Sequence, residues 1–177
     1  MIMIRLTKSD GSVVSDVQTT AAADGPGFFE VQSISFSTDQ TLNITSATSG
    51  AGAGKITFNP FSFTMPSGAL DSTMLTMQAG GAFFKTMEVQ IVRPSSGAGP
   101  GTVAETFNMK LVAVKTISWS ADAGGSTTQF TVEYGSLVII APNAAAASGA
   151  GGKTVVGGWN KVTNQQDLTP VTAVQHS

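Results

Sequence analysis

Residues Lys55–Arg93, KITFNPFSFTMPSGALDSTMLTMQAGGAFFKTMEVQIVR, read as strand, helix, strand. Ile56 and Phe58 fall on one face of an extended chain, because strand side chains alternate with a period of two. Phe61 and Phe63 continue the apolar alternation one residue out of phase. The slip falls at Asn59-Pro60. Proline has no N–H to donate to a ladder, so a bulge or an edge position is predicted there. A helix over about residues 67–79 follows. Leu70, Met74 and Met77 stand at i, i+4 and i+7, with Leu75 beside them, and make one apolar stripe. Ser67 is placed to cap the N-terminus. Asp71 sits in the first turn, where the positive end of the helix dipole favours a carboxylate. Gly80-Gly81 then supplies the positive-φ residue that ends helices. The stripe needs a sheet face to cover, and the flanking aromatic residues predict one.

The rest of the chain is patterned as strands. Ile2, Ile4 and Leu6 alternate, Asp10-Gly11 signals a turn, and Val13-Val14 to Val17 begins a return strand. Thr19 to Gly27 reads as a loop. Phe28 to Thr38 (FFEVQSISFST) is a second strong strand, with a short continuation at Leu42 and Ile44. SATSGAGAGK, ending at Lys55, is a loop of small residues. After the helix, Phe83, Met87, Val89 and Ile91 alternate. Pro94 to Gly101 is a connection. In Thr106 to Ser120, Phe107, Met109, Leu111, Ala113, Ile117 and Trp119 share one face, with Lys115 the exception. Ala123-Gly124-Gly125 turns the chain into Gln129 to Ile140, a pair expected to form a long antiparallel hairpin. Ala141 to Gly152 is a low-complexity loop. Thr154 to Trp159 is the last strand, extended by Val162, and Asp167 to Ser177 is a tail. The pattern predicts a mainly β fold of about eight strands, a sandwich or barrel, with one principal helix.

At 177 residues the chain is long enough for one domain with a core. Charged residues make up 11%, against about 25% in ordinary soluble domains. Such a surface can associate with others at modest electrostatic cost. The net charge of −2 and the scattered Lys and Arg residues argue against a nucleic-acid binder, which needs a basic stripe. The absence of cysteine excludes disulfide and thiolate chemistry. No apolar run approaches the roughly 20 residues of a membrane span, so stable membrane insertion is not expected. The start, MIMIRLTKSD, lacks the pattern of a general secretory signal.

Motifs that could carry chemistry have simpler readings. SGAGAGKI at Ser49 to Ile56 has the spacing of a phosphate loop only loosely. Ser49 takes the first glycine position, Ile56 replaces the hydroxyl residue, and a strand follows in place of a helix. Asn43-Ile44-Thr45 matches a glycosylation sequon by chance. His176 is the single histidine, so a His-based triad or a zinc site has almost no material. Glu88, Glu105 and Glu133 could meet across strands as a glycosidase pair. The competing reading is solvated carboxylates paired with Lys85, Lys110 or Lys115. Trp119 and Trp159 could stack a sugar, but alternating tryptophans are more often core or interface. Met74 and Met77 could make a plastic binding surface, although core filling is the commoner role. No cofactor and no metal site are expected, and catalysis is not.

The order of elements carries a resemblance. FFEVQSISFS, a small-residue loop, GKITFNPFSFTMPSGALDSTMLTMQAGGAFFKTMEVQIVR, ETFNMKLVAVKTISWSAD, TQFTVEYGSLVII and GWNKVTN follow one another. Together, over roughly Met1 to Asn164, they resemble the Hcp family, the tube protein of bacterial type VI secretion systems. Gly158-Trp159-Asn160 and Asn164 are similar to the ending of many members. The resemblance implies a compact β-barrel of two antiparallel sheets with one flanking helix. On this reading residues 1–164 are the barrel domain and 165–177 a C-terminal tail. It further implies hexameric rings that stack head to tail inside a sheath, with a spike at the tip and small effectors in the lumen. It places the protein in the bacterial cytoplasm before firing and outside the cell afterwards. The loop bearing Ser46, Ser49, Gly50, Gly52, Gly54 and Lys55 falls where the family's extended loop reaches the next ring. The alternatives are a tail-tube protein of a phage or another contractile injection machine, a carbohydrate-binding or adhesin β-domain using Trp119 or Trp159, and a hydrolase using Glu105 and Glu133.

Overall fold

The computed structural model describes residues 1–15, 27–43, 52–94, 101–142 and 154–171. Among them are twelve strands and one helix. The larger sheet contains β1 (Ile2–Lys8), β2 (Phe29–Val31), β7 (Phe84–Arg93), β8 (Thr102–Asp122), β10 (Ser136–Pro142), β11 (Thr154–Asn160) and β12 (Gln165–Gln166). Their order is β12-β11-β10-β8-β7-β1-β2, antiparallel throughout. A second sheet continues from β8 through β9 (Gly125–Glu133) and β6 (Phe61–Pro66) to β3 (Ser33–Ser35).

Two corners turn these sheets into a compact barrel. At the first, β8 passes from one sheet to the other. Its first half pairs with β7 and β10, and its second half pairs with β9. The change falls at Leu111, which takes a left-handed φ of 55°. Opposite it, Tyr134-Gly135 separates β9 from β10. At the second corner β2 pairs with β1 and β3 pairs with β6. Gln32 joins them, and its backbone N–H donates to the Thr64 carbonyl at 2.8 Å.

The core fills the space between the sheets. Leu6, Phe29, Phe61, Phe63, Phe130, Met87 and Met109 are fully or almost fully buried there. Phe63 stands 5.1 Å from Phe130, and Phe36 meets the rings of Phe61 and Phe107 at 5.1 Å each. Such aromatic pairs add about 0.5–1.5 kcal/mol each beyond the area they bury.

Helix α1 (Ala69–Ala79) covers the expected face with Leu70 and Met74, and Met77 is partly buried. Leu75 does not join the stripe and is 48% exposed, because it lies about 100° around the helix from Met74. Nor does Ser67 cap the helix. The N-cap residue is Gly68, which has no side chain to offer, and the Ser67 hydroxyl bonds Thr128 instead. The helix ends at Gly80, with Gly81 at a φ of 62°.

Several strand readings also change. Phe28 to Thr38 is divided among β2, β3 and the start of β4. Asn59-Pro60 is neither a bulge nor an edge. The chain leaves one sheet there and joins another. The single-face reading of β8 ends at Leu111, which is 51% exposed, because the positive φ turns the strand over and buries Val112. Trp119 is exposed as well. The return strand after Asp10-Gly11 is one bridge, Thr7 to Val13. Val162 does not extend β11; it lies in the turn that follows. Val17, most of the Thr19–Gly27 loop, Ile44 and His176 lie outside the described residues.

Candidate assembly surfaces

The small-residue segment picked out above forms part of a ribbon that stands apart from both sheets. Strands β4 (Thr38–Asn43) and β5 (Gly52–Phe58) pair only with each other among the described residues. Gly52, Gly54 and Lys55 therefore belong to a strand and not to a loop. Ser46, Ser49 and Gly50 lie outside the described residues. The strand also removes the geometry of a phosphate loop, which needs Lys55 at the start of a helix.

The root of the ribbon is held tightly. The Phe58 ring stacks on Tyr134 at 5.5 Å. The Asn59 amide donates to Ser37 Oγ at 2.8 Å and to the Asp39 carboxylate, and Asn59 N–H donates to the Ser37 carbonyl. Beyond this root, residues Thr38–Thr41 are exposed, as are Lys55 and Thr57. A two-stranded ribbon leaves one edge of each strand without a ladder partner, and such edges pair readily with another chain.

The candidate catalytic carboxylates are not brought together. Glu133 is opposite Ala113 of β8, and Glu105 is eight residues up that strand, opposite Ile91 of β7. The Leu111 corner falls between them, so the two carboxylates belong to different sheet pairings, Glu105 beside β7 and Glu133 on β9, and are not on neighbouring residues as a glycosidase pair roughly 5–9.5 Å apart requires. Glu133 takes a 3.0 Å ion pair from Lys115 and a 3.7 Å one from Lys161. The Lys115 hydrogen bond, helped by the Lys115 and Lys161 charges, holds its carboxyl below the usual range against the opposing effect of burial. That favours a fixed anion over a proton donor. Glu88 pairs with Arg5 and not with Lys85. No group of three or more metal-binding side chains occurs among the described residues.

The two tryptophans do not make one platform. Trp159, on β11 of the larger sheet, packs against the core. Trp119, on the second half of β8, is 54% exposed, and its indole N–H donates to Asp71 at 3.1 Å. Thr128 donates to the same Asp71 oxygen at 2.9 Å. The first-turn carboxylate thus ties the helix to β8 and β9.

One feature escaped the sequence reading. Part of the outer face of the larger sheet, around β1 and the end of β7, is also covered. Met3, Phe28 and Val92 make a second apolar cluster there. Beside it the Arg5 guanidinium binds Glu88 and lies 4.4 Å from the Phe28 ring centroid. Both members of this ion pair are more than nine-tenths buried. Gln90 donates to Glu88 at 3.0 Å. The near-continuous apolar run Met1–Ile4 was the available signal, since a strand buried on both faces loses its alternation.

Three comparisons bear on this arrangement. The family described as Type VI secretion system effector, Hcp, matches residues 18–139, well over half of the chain. No curated protein sequence matches significantly. Among solved structures, one of a type six secretion system protein superposes with a TM-score of 0.73 at 17% identity, covering 94% of this chain and 98% of that one. The crystal structure of Hcp1 from Salmonella typhimurium gives 0.67 at 14% identity, covering 94% and 99%. A chain of the anti-feeding prophage baseplate gives 0.54 at 6% identity, covering 79% and 92%. At these identities the structural likenesses show a common fold.

Proposed function

Since the chain belongs to the Hcp family of type VI secretion, a family of tube subunits, we propose that its copies close into hexameric rings that stack head to tail. The observation that carries this reading is the family match over residues 18–139, which takes in both corners of the barrel. The lumen carries small effector proteins, and a sheath and a spike complete the machine. The protein fills the cytoplasmic tube before firing and leaves the cell with it. No helix among the described residues is long and apolar enough to cross a membrane.

Physical features support self-assembly. Only 11% of the residues are charged, so like-charge repulsion between copies is small. A heterologous contact repeated at the right rotation closes a ring. The barrel, with its core closed between two sheets and β1 buried on both faces, is a stiff unit from which to build one. We assign stacking to the β4–β5 ribbon and the segment it brackets, with Ser46, Ser49, Gly50, Gly52, Gly54 and Lys55 approaching the next ring. Glycines there let two backbones come close.

Negative-stain microscopy with native mass spectrometry tests the ring. Particles with sixfold symmetry and a six-copy mass are expected. A monomer at all concentrations up to the millimolar range would overturn it. The baseplate likeness keeps a second reading, the tube of another contractile machine, in the same structural class. Copurification with sheath proteins of one machine or the other separates the two.

A further inference from the structure

On the outer face of the larger sheet one register row crosses five strands. It comprises Thr7 of β1, Thr86 of β7, Lys110 of β8, Ser136 of β10 and Asn160 of β11. Neighbouring strands lie about 4.8 Å apart, so the row runs about 19 Å. It floors a cleft of ≈ 480 Å³. The Gly11–Val13 turn forms one wall, and Pro170-Val171 of the C-terminal segment forms the other. That segment is held in place: Asp167 N–H donates to the Gly158 carbonyl at 3.3 Å, and its carboxylate takes a 3.1 Å ion pair from Lys110.

The electrostatics of the cleft are one-sided. Arg5, Lys85 and Lys110 line it, and no carboxylate does. The acids that neutralise Arg5 and Lys110, Glu88 and Asp167, stand outside the lining. Lys85 is exposed and makes no ion pair among the described residues. It is the residue left without a β1 partner where the register shifts between Thr7 and Lys8. On the floor, Ser136 Oγ has no hydrogen-bond partner among the described residues, although the residue is only 1% exposed. A buried hydroxyl in that state is unfavourable until something supplies the missing bond. The remaining walls are largely apolar, with Val13, Leu111, Pro170 and Val171.

We propose that this cleft binds an extended segment of a partner protein, mainly apolar and carrying one carboxylate that pairs with Lys85. Shape decides for a peptide. A trough about 19 Å long takes five or six residues at about 3.3 Å each, and its volume lies in the usual range for ligand sites, roughly 300–1,000 Å³. Charge decides for the carboxylate, because only Lys85 among the three cations has no anion of its own. The bound segment also approaches Ser136 Oγ. The assignment goes beyond tube assembly and does not depend on it.

The test uses the full chain and a fluorescein-labelled peptide, Val-Leu-Asp-Leu-Ala, blocked at its C-terminus, with its Asn counterpart as control. Fluorescence anisotropy is expected to show the Asp peptide binding at least tenfold more tightly than the Asn peptide. Lys85→Gln reduces that preference to within twofold, and Lys85→Arg keeps it. Lys85 is exposed, so neither change endangers the fold. Equal binding of the two peptides, no binding of either, or an undiminished preference in Lys85→Gln would each overturn the proposal. Native mass spectra of the same samples keep the two questions apart. Rings that persist in Lys85→Gln leave the tube reading intact whatever the peptides do. Rings lost in Lys85→Gln, with no peptide bound by the wild type, would assign the cleft to a neighbouring copy and overturn a peptide partner.

Discussion

Leu111 and the Arg5–Glu88 pair show how much single residues decide in this barrel. A leucine at positive φ crowds its Cβ against the backbone, at roughly 1–2 kcal/mol. The bend persists because burial of Val112 and Tyr134 on either side of it offsets that cost. Leu111→Val, with a branched Cβ, is expected to lower stability by about 1–2 kcal/mol, while Leu111→Gly does not. Urea denaturation of both variants checks this. Arg5→Ala leaves Glu88 buried without its cation and should cost about 3–5 kcal/mol; the double change Arg5→Met with Glu88→Leu should recover most of it. Titrating groups set the pH limits. Glu133 and Asp167 have carboxyls held below their ordinary values, Glu133 first by Lys115, and Asp167 first by the Thr169 N–H and then by Lys110. Their contribution is therefore present above the unfolded pKa and is lost as pH falls through the folded one, below about pH 4. Tyr134 is pushed up to about 12, first by burial and then by the Glu133 charge. The folded state holds that proton more tightly, so stability is full below pH 10 and declines as pH rises from there towards 12. Melting temperatures across both limbs test the two signs.

At the scale of elements, the helix and the C-terminal segment give contrasting predictions. Leu70 and Met74 are completely buried, so truncating either to Ala should cost about 2–5 kcal/mol. Leu75 points outwards, and Leu75→Ala should stay within about 0.5 kcal/mol. The pair of measurements separates a packed stripe from general helix propensity. For the C-terminal segment the control point is Gly158. A Cβ there would stand 2.1 Å from the Asp167 carbonyl oxygen and 3.0 Å from that of Leu137. Gly158→Ala is expected to release residues 165–171 while the barrel stays folded. Faster amide exchange at Asp167 and Thr169, with unchanged protection in β1 and β7, is the expected signature. The helix is legible from its own residues, whereas the strand Gln165–Gln166 is not, because its pairing with β11 leaves no local pattern. The helix cap is not legible, because Thr128, 61 residues away, competes for the Ser67 hydroxyl.

For the whole molecule the expectations concern assembly. Replacing Gly52 and Gly54 with Asp places charge on the ribbon while leaving the barrel's core untouched. Single rings should still form, and stacked tubes should be lost or shortened, as electron micrographs would show. Intact stacking in that variant would remove the ribbon from the contact between rings. The separation of ribbon from barrel makes this variant informative, since among the described residues β4 and β5 pair only with each other, and Ile56 and Phe58 at the root end of β5 are what reach the core.

Local pattern by itself determined most of the strand periodicities, a helix within about residues 67–79 and its glycine stop, the hairpin turn at Ala123-Gly124, and the order of elements that marks the family. These depend on side-chain spacing and backbone chemistry within a few residues, so the sequence displays them directly. Tertiary structure alone decided where β8 turns over, which sheet each half joins, that β4 and β5 leave the barrel as a ribbon, and that β1 is buried on both faces around Arg5 and Glu88. Apart from the local pairing within the ribbon, those outcomes depend on groups brought together from far apart in the chain, 83 residues in the case of that ion pair. Energies of that kind exist only once the barrel has closed.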